Sequence, residues 1–309
     1  MLLSRRAMVA GLSGLLMASL LPACTPSAET TTPSADTASE PLMVGAIPDQ
    51  DPEKLQRLYG KLVDYLSAEL GVPVEYQPVT DYGAAVTAFR VGDLDLVWFG
   101  GLTGVQARLQ VEGAQAIAQR DIDAEFHSVF IANTDSGIDP INDISGLSVF
   151  NGHSFTFGSE SSTSGRLMPQ HFLQQAGVSL EDFKGEVGFS GNHDATIKLV
   201  EAGTYEAGAL NEQVWLTRLE AGEVDQSRVR VIWRTPAYYD YHWVIHPAVT
   251  DRYGAGFIDR VQQAFLDLDA SVPEHQAILE LFGAETFMAT ENANYEQIEA
   301  VGRAIGKIQ

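Results

Sequence analysis

Ser162, Thr163, Ser164 and Gly165 lie in the run GSESSTSGRLMP, in front of a helix-forming stretch, and His193 closes the strand-like GFSGNH that follows. Three rotatable hydroxyls at a helix start have the chemistry of an anion seat. The first-turn amides lack intrahelical partners and sit at the positive end of the helix dipole, so a tetrahedral oxyanion can be held there by neutral donors. Further candidates fall at the ends of predicted strands, where ligands sit in open α/β sheets. These are Pro48, Asp49 and Gln50 after the first strand, and Asp81 and Tyr82 after the second. WFGGLT follows the third, where Gly100 and Gly101 admit a close backbone approach and Leu102 and Thr103 open a helix. Each residue also has an ordinary structural alternative: an N-cap for Ser162 to Ser164, a helix cap or core hydrogen bond for His193, a packed ring for Tyr82. Trp98, Trp215, Trp233 and Trp243 are read as core fillers.

Bond-making chemistry has a poorer footing. GNHD at 191–194, GDLD at 92–95 and DYH at 240–242 are fragments that suit a two-metal phosphoesterase. Their order is reversed for such an enzyme, and the seven histidines form no close GHxH cluster. No GxSxG elbow precedes a helix in the chain after its leader. The expectation is a binding protein with no catalytic residue, no metal and no cofactor, with the phosphoesterase as the alternative.

The outer organisation comes from composition. Arg5 and Arg6, an apolar stretch from Ala7 to Leu21, and Pro22 and Ala23 before Cys24 read as an export signal over residues 1–23, of Sec or twin-arginine type. The apolar stretch is shorter than the about 20 residues a bilayer span needs. Cys24 is the only cysteine and resembles the acylated residue of a bacterial lipobox, so no disulfide is expected. Residues 25–41, rich in Ser, Thr, Ala and Pro, form a tether, so that 24–41 joins a lipid anchor to the folded part. The chain carries 19 basic and 41 acidic residues, a net charge of −22, and loss of the signal's two arginines takes it to −24. That charge excludes nucleic acid as a partner, and an anion must be recognised locally, by donors inside a cleft.

Strands alternate with helices along the rest. LMVGAI, VEYQPV and DLVWF read as strands, with helices over 52–70, YGAAVTAFRV and GLTGVQARLQV between and after them. GLSVF, SFTFG, EVGFSG, AGAL, VRVIWRT and HWVIH read as strands of the later chain, and residues 254–268 as a helix. The folded length, about 268 residues, exceeds what one core usually serves, so two lobes are expected. The fold class is α/β: two lobes, each a mixed, mostly parallel sheet flanked by helices, with a hinge crossed twice. Residues 42–136 plus 240–309 form the first lobe and 137–239 the second, with crossings near 133–139 and 234–241.

DYGAAVTAF, GDLDLVWFGG, STSGRLMP, GFSGNHDATIKLVEAGTYEAGAL and VIWRTPAYYDYHWVI together resemble the periplasmic solute-binding proteins of phosphate, phosphite and phosphonate ABC importers. The resemblance covers most of the chain after the tether and implies a type II-like periplasmic binding protein fold. It also implies ligand contacts from Tyr82, Ser162, Thr163, Ser164, His193 and Asp240. Asp240 also fits an interlobe salt bridge. His127 stands where the family often has a tyrosine, and Tyr238 and Tyr239 stand where it usually has Ile and Pro. His127, Asn211, Gly101 and Thr103 complete the candidate set. NEQVW and TPAYYDYHW resemble a subgroup labelled selenate-binding proteins.

The implied partners are a small oxyanion, an ABC permease and its ATPase, and a membrane reached through the lipid on Cys24. The protein is expected to be a monomer in the periplasm or at the cell surface. A binding lobe feeding a sensor rather than a transporter is the other reading. If Asp240 reaches the ligand, an ionised carboxylate can only accept, and so can sulfate or selenate. A protonated phosphite or phosphonate oxygen can donate to it, which favours a phosphorus oxyanion.

Overall fold

The computed structural model describes residues 40–309; the expected signal, Cys24 and nearly all of the tether lie outside them. The first helix shows why the early elements are readable from their residues. In α1 (Pro52–Leu70), Asp51 accepts from the amides of Glu53 and Lys54, and Pro52 opens the first turn. Leu55, Leu58, Leu62, Leu66 and Leu70 are buried along one face, and Gly71 ends the helix with φ 66°. Asp81 likewise caps α2 (Tyr82–Val91), accepting from Ala84 N.

Two sheets are built. The first takes β1 (Leu42–Ala46), β2 (Val74–Tyr76), β3 (Leu96–Phe99) and β4 (Gln115–Arg120) from the early chain. The second is made wholly of β5 (Ser128–Asn133), β6 (Phe155–Phe157), β7 (Gly188–Phe189), β8 (Ala207–Asn211) and β9 (Val229–Arg234). The chain then returns to the first sheet with β10 (His242–Ile245) and β11 (Phe287–Ala289), giving orders β11-β4-β10-β3-β1-β2 and β7-β6-β8-β5-β9. Where a helix connects strands of one sheet the pairing is parallel, as in β1 with β2 and β3, and β6 with β7 and β8. Strands that enter or leave a sheet at a crossing, β5 and β10, pair antiparallel. The sheets are therefore mixed.

The structure corrects three details. Segments 115–120 and 128–133, left unassigned from the sequence, are strands, and β5 belongs to the second sheet. The first passage between sheets consequently runs through 121–127, ahead of the expected 133–139. It lies beside the second passage: Phe126 and Tyr238 exchange both backbone hydrogen bonds, and Asp240 N donates to Asp123 O at 3.1 Å. GLSVF is a 3-10 turn (Ile144–Phe150), capped by Asp143 and burying Leu147 and Phe150, which are three apart and so share one side of a helical turn.

The larger core runs through both sheets, with Trp98, Trp233 and Trp243 inside it as expected. A smaller cluster packs α5 (His193–Glu201) and α6 (Glu212–Glu220) against β5 and β8, and includes Trp215. No helix among the described residues is long and apolar enough to cross a membrane.

Candidate functional site

The site forms where β3 ends and α3 (Gly101–Gln110) begins. Gly100 has no side chain to cap this helix, so its first amides need partners from elsewhere. Gly101 N donates to Asp240 Oδ1 at 2.8 Å, and Leu102 N to Thr163 Oγ1 at 2.9 Å. Asp240 comes from the second passage and Thr163 from the second sheet's side, so one helix start gathers three separate segments. A Cβ on Gly100 would stand 3.1 Å from Thr163 Oγ1 and 3.2 Å from Asp240 Oδ1, which explains the glycine. This corrects the expected use of Gly101 and Thr103. The Gly101 amide serves Asp240, and the Thr103 hydroxyl turns back to Gly100 O at 3.1 Å.

The Ser/Thr tract makes a wide helical turn. Ser162 Oγ accepts from Gly165 N at 2.9 Å as an N-cap, and Thr163–Leu167 form a π-helical turn before α4 (Met168–Gln175). Such turns recur at functional sites because they displace a side chain from the regular helical spacing. Ser164 O accepts from Ser128 Oγ at 2.7 Å, which pins the turn to β5. His193 opens α5, capped by Asn192. Asn211 N approaches His193 Nδ1 at 3.4 Å, which leaves the proton on Nε2, 3.3 Å from the Tyr241 hydroxyl. Asn211 caps α6 through Oδ1 and donates from Nδ2 to the same hydroxyl at 3.2 Å.

Tyr82, Ser162, Thr163, Ser164, His193, Asn211 and Asp240 are all 0–2% exposed, and Tyr241 is 2%. Three of their polar atoms, Tyr82 Oη, Ser164 Oγ and Asp240 Oδ2, are buried without a completed hydrogen bond. Buried polar atoms are rarely left so, and two hydroxyl donors beside one carboxylate acceptor form a set that complements an oxyanion carrying one proton. Burial raises the Asp240 pKa to about 7, and the Gly101 amide opposes it. The Thr163 and Ser164 hydroxyls also lower that pKa, although neither completes a bond to Oδ2. Burial lowers the His193 pKa to about 4, so the ring is neutral near pH 7. The Tyr82 and Tyr241 hydroxyls are held protonated by burial.

His127 lies apart from this group. Its Nδ1 meets Thr235 O at 2.7 Å, and the ring lines a groove of about 490 Å³ with Glu212, Leu216, Arg234 and Met288 on the crossing side. The expected interlobe salt bridge for Asp240 is replaced by its bond to the Gly101 amide. GNHD holds no metal cluster: among the described residues no group of His, Cys, Asp and Glu is arranged to bind one. Asn192 and His193 act as described, and Asp194 binds Arg218 through both oxygens at 2.6 and 2.9 Å. Asp49 is the residue the sequence underplayed. It is 3% exposed, its carbonyl accepts from His193 N at 3.0 Å, and burial raises its pKa to about 6. Its place at the carboxyl end of a buried strand was the available signal.

Residues 44–295 match the family described as the periplasmic substrate-binding protein of the ABC phosphonate transporter. The chain is 49% identical over 269 residues to the probable ABC transporter phosphite binding protein PhnD1 of Prochlorococcus marinus (strain MIT 9301), covering 87% of this chain and 91% of that one. The structure of the Prochlorococcus PhnD1 in complex with methylphosphonate superposes with a TM-score of 0.85, at 50% identity, covering 86% of this chain and 98% of that one. The phosphate-import protein PhnD of Mycolicibacterium smegmatis is 26% identical over 269 residues, covering 83% of this chain and 80% of that one.

Proposed function

Since the chain belongs to the family of periplasmic substrate-binding proteins of ABC phosphonate transporters, we propose that its buried seat captures phosphite or a small phosphonate carrying one proton. The protein is an exported, non-enzymatic binding component of a phosphonate or phosphite importer. The observation that carries the ligand assignment is the trio of unpartnered buried atoms. Tyr82 Oη and Ser164 Oγ can donate to two anionic oxygens while Asp240 Oδ2 accepts from a third that is protonated.

Sulfate and selenate lack that proton near neutral pH, so they meet the ionised form of Asp240 as like charges and bind only where the carboxyl itself takes up the proton. The neutral His193 and the Ser162 to Ser164 turn supply polarity without a cation beside the ligand. Lobe closure around the ligand follows from contacts that only the joined state makes, Leu102 N to Thr163 Oγ1 and Asp51 N to Asp194 Oδ2 among them. The Prochlorococcus relative, described as a phosphite binding protein and solved in complex with methylphosphonate, supports the same class. Lipidation of Cys24 would tether the protein at the membrane, where a permease and its ATPase receive the ligand.

Calorimetry and thermal shift with phosphite, methylphosphonate, aminoethylphosphonate, phosphate, sulfate and selenate test the assignment. Phosphite or methylphosphonate should bind at micromolar concentration or tighter, which corresponds to about 8 kcal/mol. Preferential binding of selenate or sulfate would overturn it.

A further inference from the structure

We propose that Ser128 is a positioning residue for ligand capture: its single proton, aimed by Tyr238, holds the Ser164 carbonyl and so fixes the free Ser164 hydroxyl in the seat. The inference rests on the proposed function and adds to it two residues that act through Ser164.

The need for such a donor is written in the sequence. In the π-helical turn amides reach back five residues: Leu167 N donates to Ser162 O at 2.9 Å, and Met168 N to Thr163 O. The next amide in that pattern would serve Ser164 O, but it belongs to Pro169, which has no N–H. Ser164 is 1% exposed, so its carbonyl must find a donor outside the helix. Ser128 Oγ, at the start of β5, supplies it at 2.7 Å. The neighbouring Gly165 O is met from outside as well, by Gly158 N at 2.9 Å. Because the backbone carbonyl takes the bond that pins the turn, the Ser164 side chain is not spent on it, and its Oγ stays without a partner in the protein.

The direction of the protons follows from counting them. Ser128 Oγ also lies 2.6 Å from Tyr238 Oη. Each hydroxyl has one proton and a carbonyl can only accept, so Ser128 donates to Ser164 O and Tyr238 donates to Ser128. A donor that is itself hydrogen-bonded in this way gives a stronger bond. Both side chains are buried, at 0% and 2% exposure, and both are held where the chain passes between the sheets. Ser128 N donates to Thr235 Oγ1 at 2.9 Å and Ser128 O accepts from Thr235 N at 3.0 Å, while the Tyr238 backbone pairs with Phe126. Two residues beyond Tyr238, Asp240 accepts from the Gly101 amide. The second passage therefore fixes both halves of the seat, the start of α3 directly and the Ser164 turn through Ser128. A turn set in advance spares the ligand the cost of ordering it.

Calorimetry with methylphosphonate tests this on Ser128→Ala and Tyr238→Phe, each alone and combined with Ser164→Ala. Ser128→Ala should weaken binding about tenfold, and Tyr238→Phe about fivefold, because Ser128 keeps its proton but loses the group that aims it. In the Ser164→Ala background each substitution should cost less than about twofold, since the hydroxyl it places is gone. A general loss of packing would cost the same in both backgrounds. Should Ser128→Ala fail to fold, Tyr238→Phe, which keeps the ring, decides by the same comparison. Equal losses in the two backgrounds, or wild-type affinity in Ser128→Ala and Tyr238→Phe, overturn the inference while the proposed function stands. A wild-type protein that binds neither phosphite nor methylphosphonate removes both.

Discussion

Leu102 N, in the first turn of α3 on one sheet, donates to Thr163 Oγ1 on the other at 2.9 Å. The helix start that the sequence offers to an anion is closed by a side chain from the opposite side. If the proposed seat holds the ligand, its affinity is tied to the approach of the two sheets.

Thr163→Val keeps the shape and removes this acceptor, leaving a buried amide without a partner. Methylphosphonate affinity should fall by about 1–3 kcal/mol, read by calorimetry, whereas Thr163→Ser should stay close to wild type. Equal affinity in the valine variant would mean that the bond does not distinguish the joined state.

Ser164→Ala separates binding from stability. The Ser164 hydroxyl has no partner in the protein, so its removal should leave the melting temperature without ligand unchanged or slightly raised. Ligand affinity should drop by about 1–3 kcal/mol through loss of a charge-assisted hydrogen bond. A variant that loses stability but binds normally would place Ser164 in the scaffold instead of the seat.

Asp240→Asn carries a pH signature. The folded protein raises this pKa from 3.8 to about 7, so it binds the proton more tightly than the unfolded chain does. The resulting cost to stability is absent below the unfolded pKa, grows as pH rises through this window, and is full above pH 7. The variant should gain about 1–3 kcal/mol over wild type at pH 8 and little at pH 4, measured by denaturant unfolding, while losing phosphite affinity.

The parts of this site that were legible are those whose signal is local. The leucines of α1 and the hydroxyl tract act within a few residues of their own position, so spacing revealed them. Glycines 100 and 101 were marked for a ligand because a bare helix start looks alike whether a ligand or the protein fills it. Asp240 and Thr163 fill it, 139 and 61 residues away. The strands β4 and β5 went unassigned although SVFIAN holds a Val-Phe-Ile run that favours a strand; QAIAQR has little such preference, and its place is set by pairing with β10 and β11.

His193 makes the opposite prediction to Asp240. Burial lowers its pKa from 6.5 to about 4, so between these values the unfolded chain takes the proton and the folded one does not. Stability is thus lost as pH falls from 6.5 through 4, while Asp240 and Asp49, with raised pKa values, favour the folded state over part of the same window. His193→Gln removes the acid-side loss from this ring and should flatten the fall in stability between pH 6.5 and 4 by about 1–3 kcal/mol, relative to the value at pH 7.5. His242, buried with its pKa well below 6.5, retains its own share of that slope, so the fall should shrink without vanishing. An acid limb as steep as wild type in His193→Gln would show that the ring gains its proton without unfolding, and the neutral imidazole assigned to the seat would have to be abandoned.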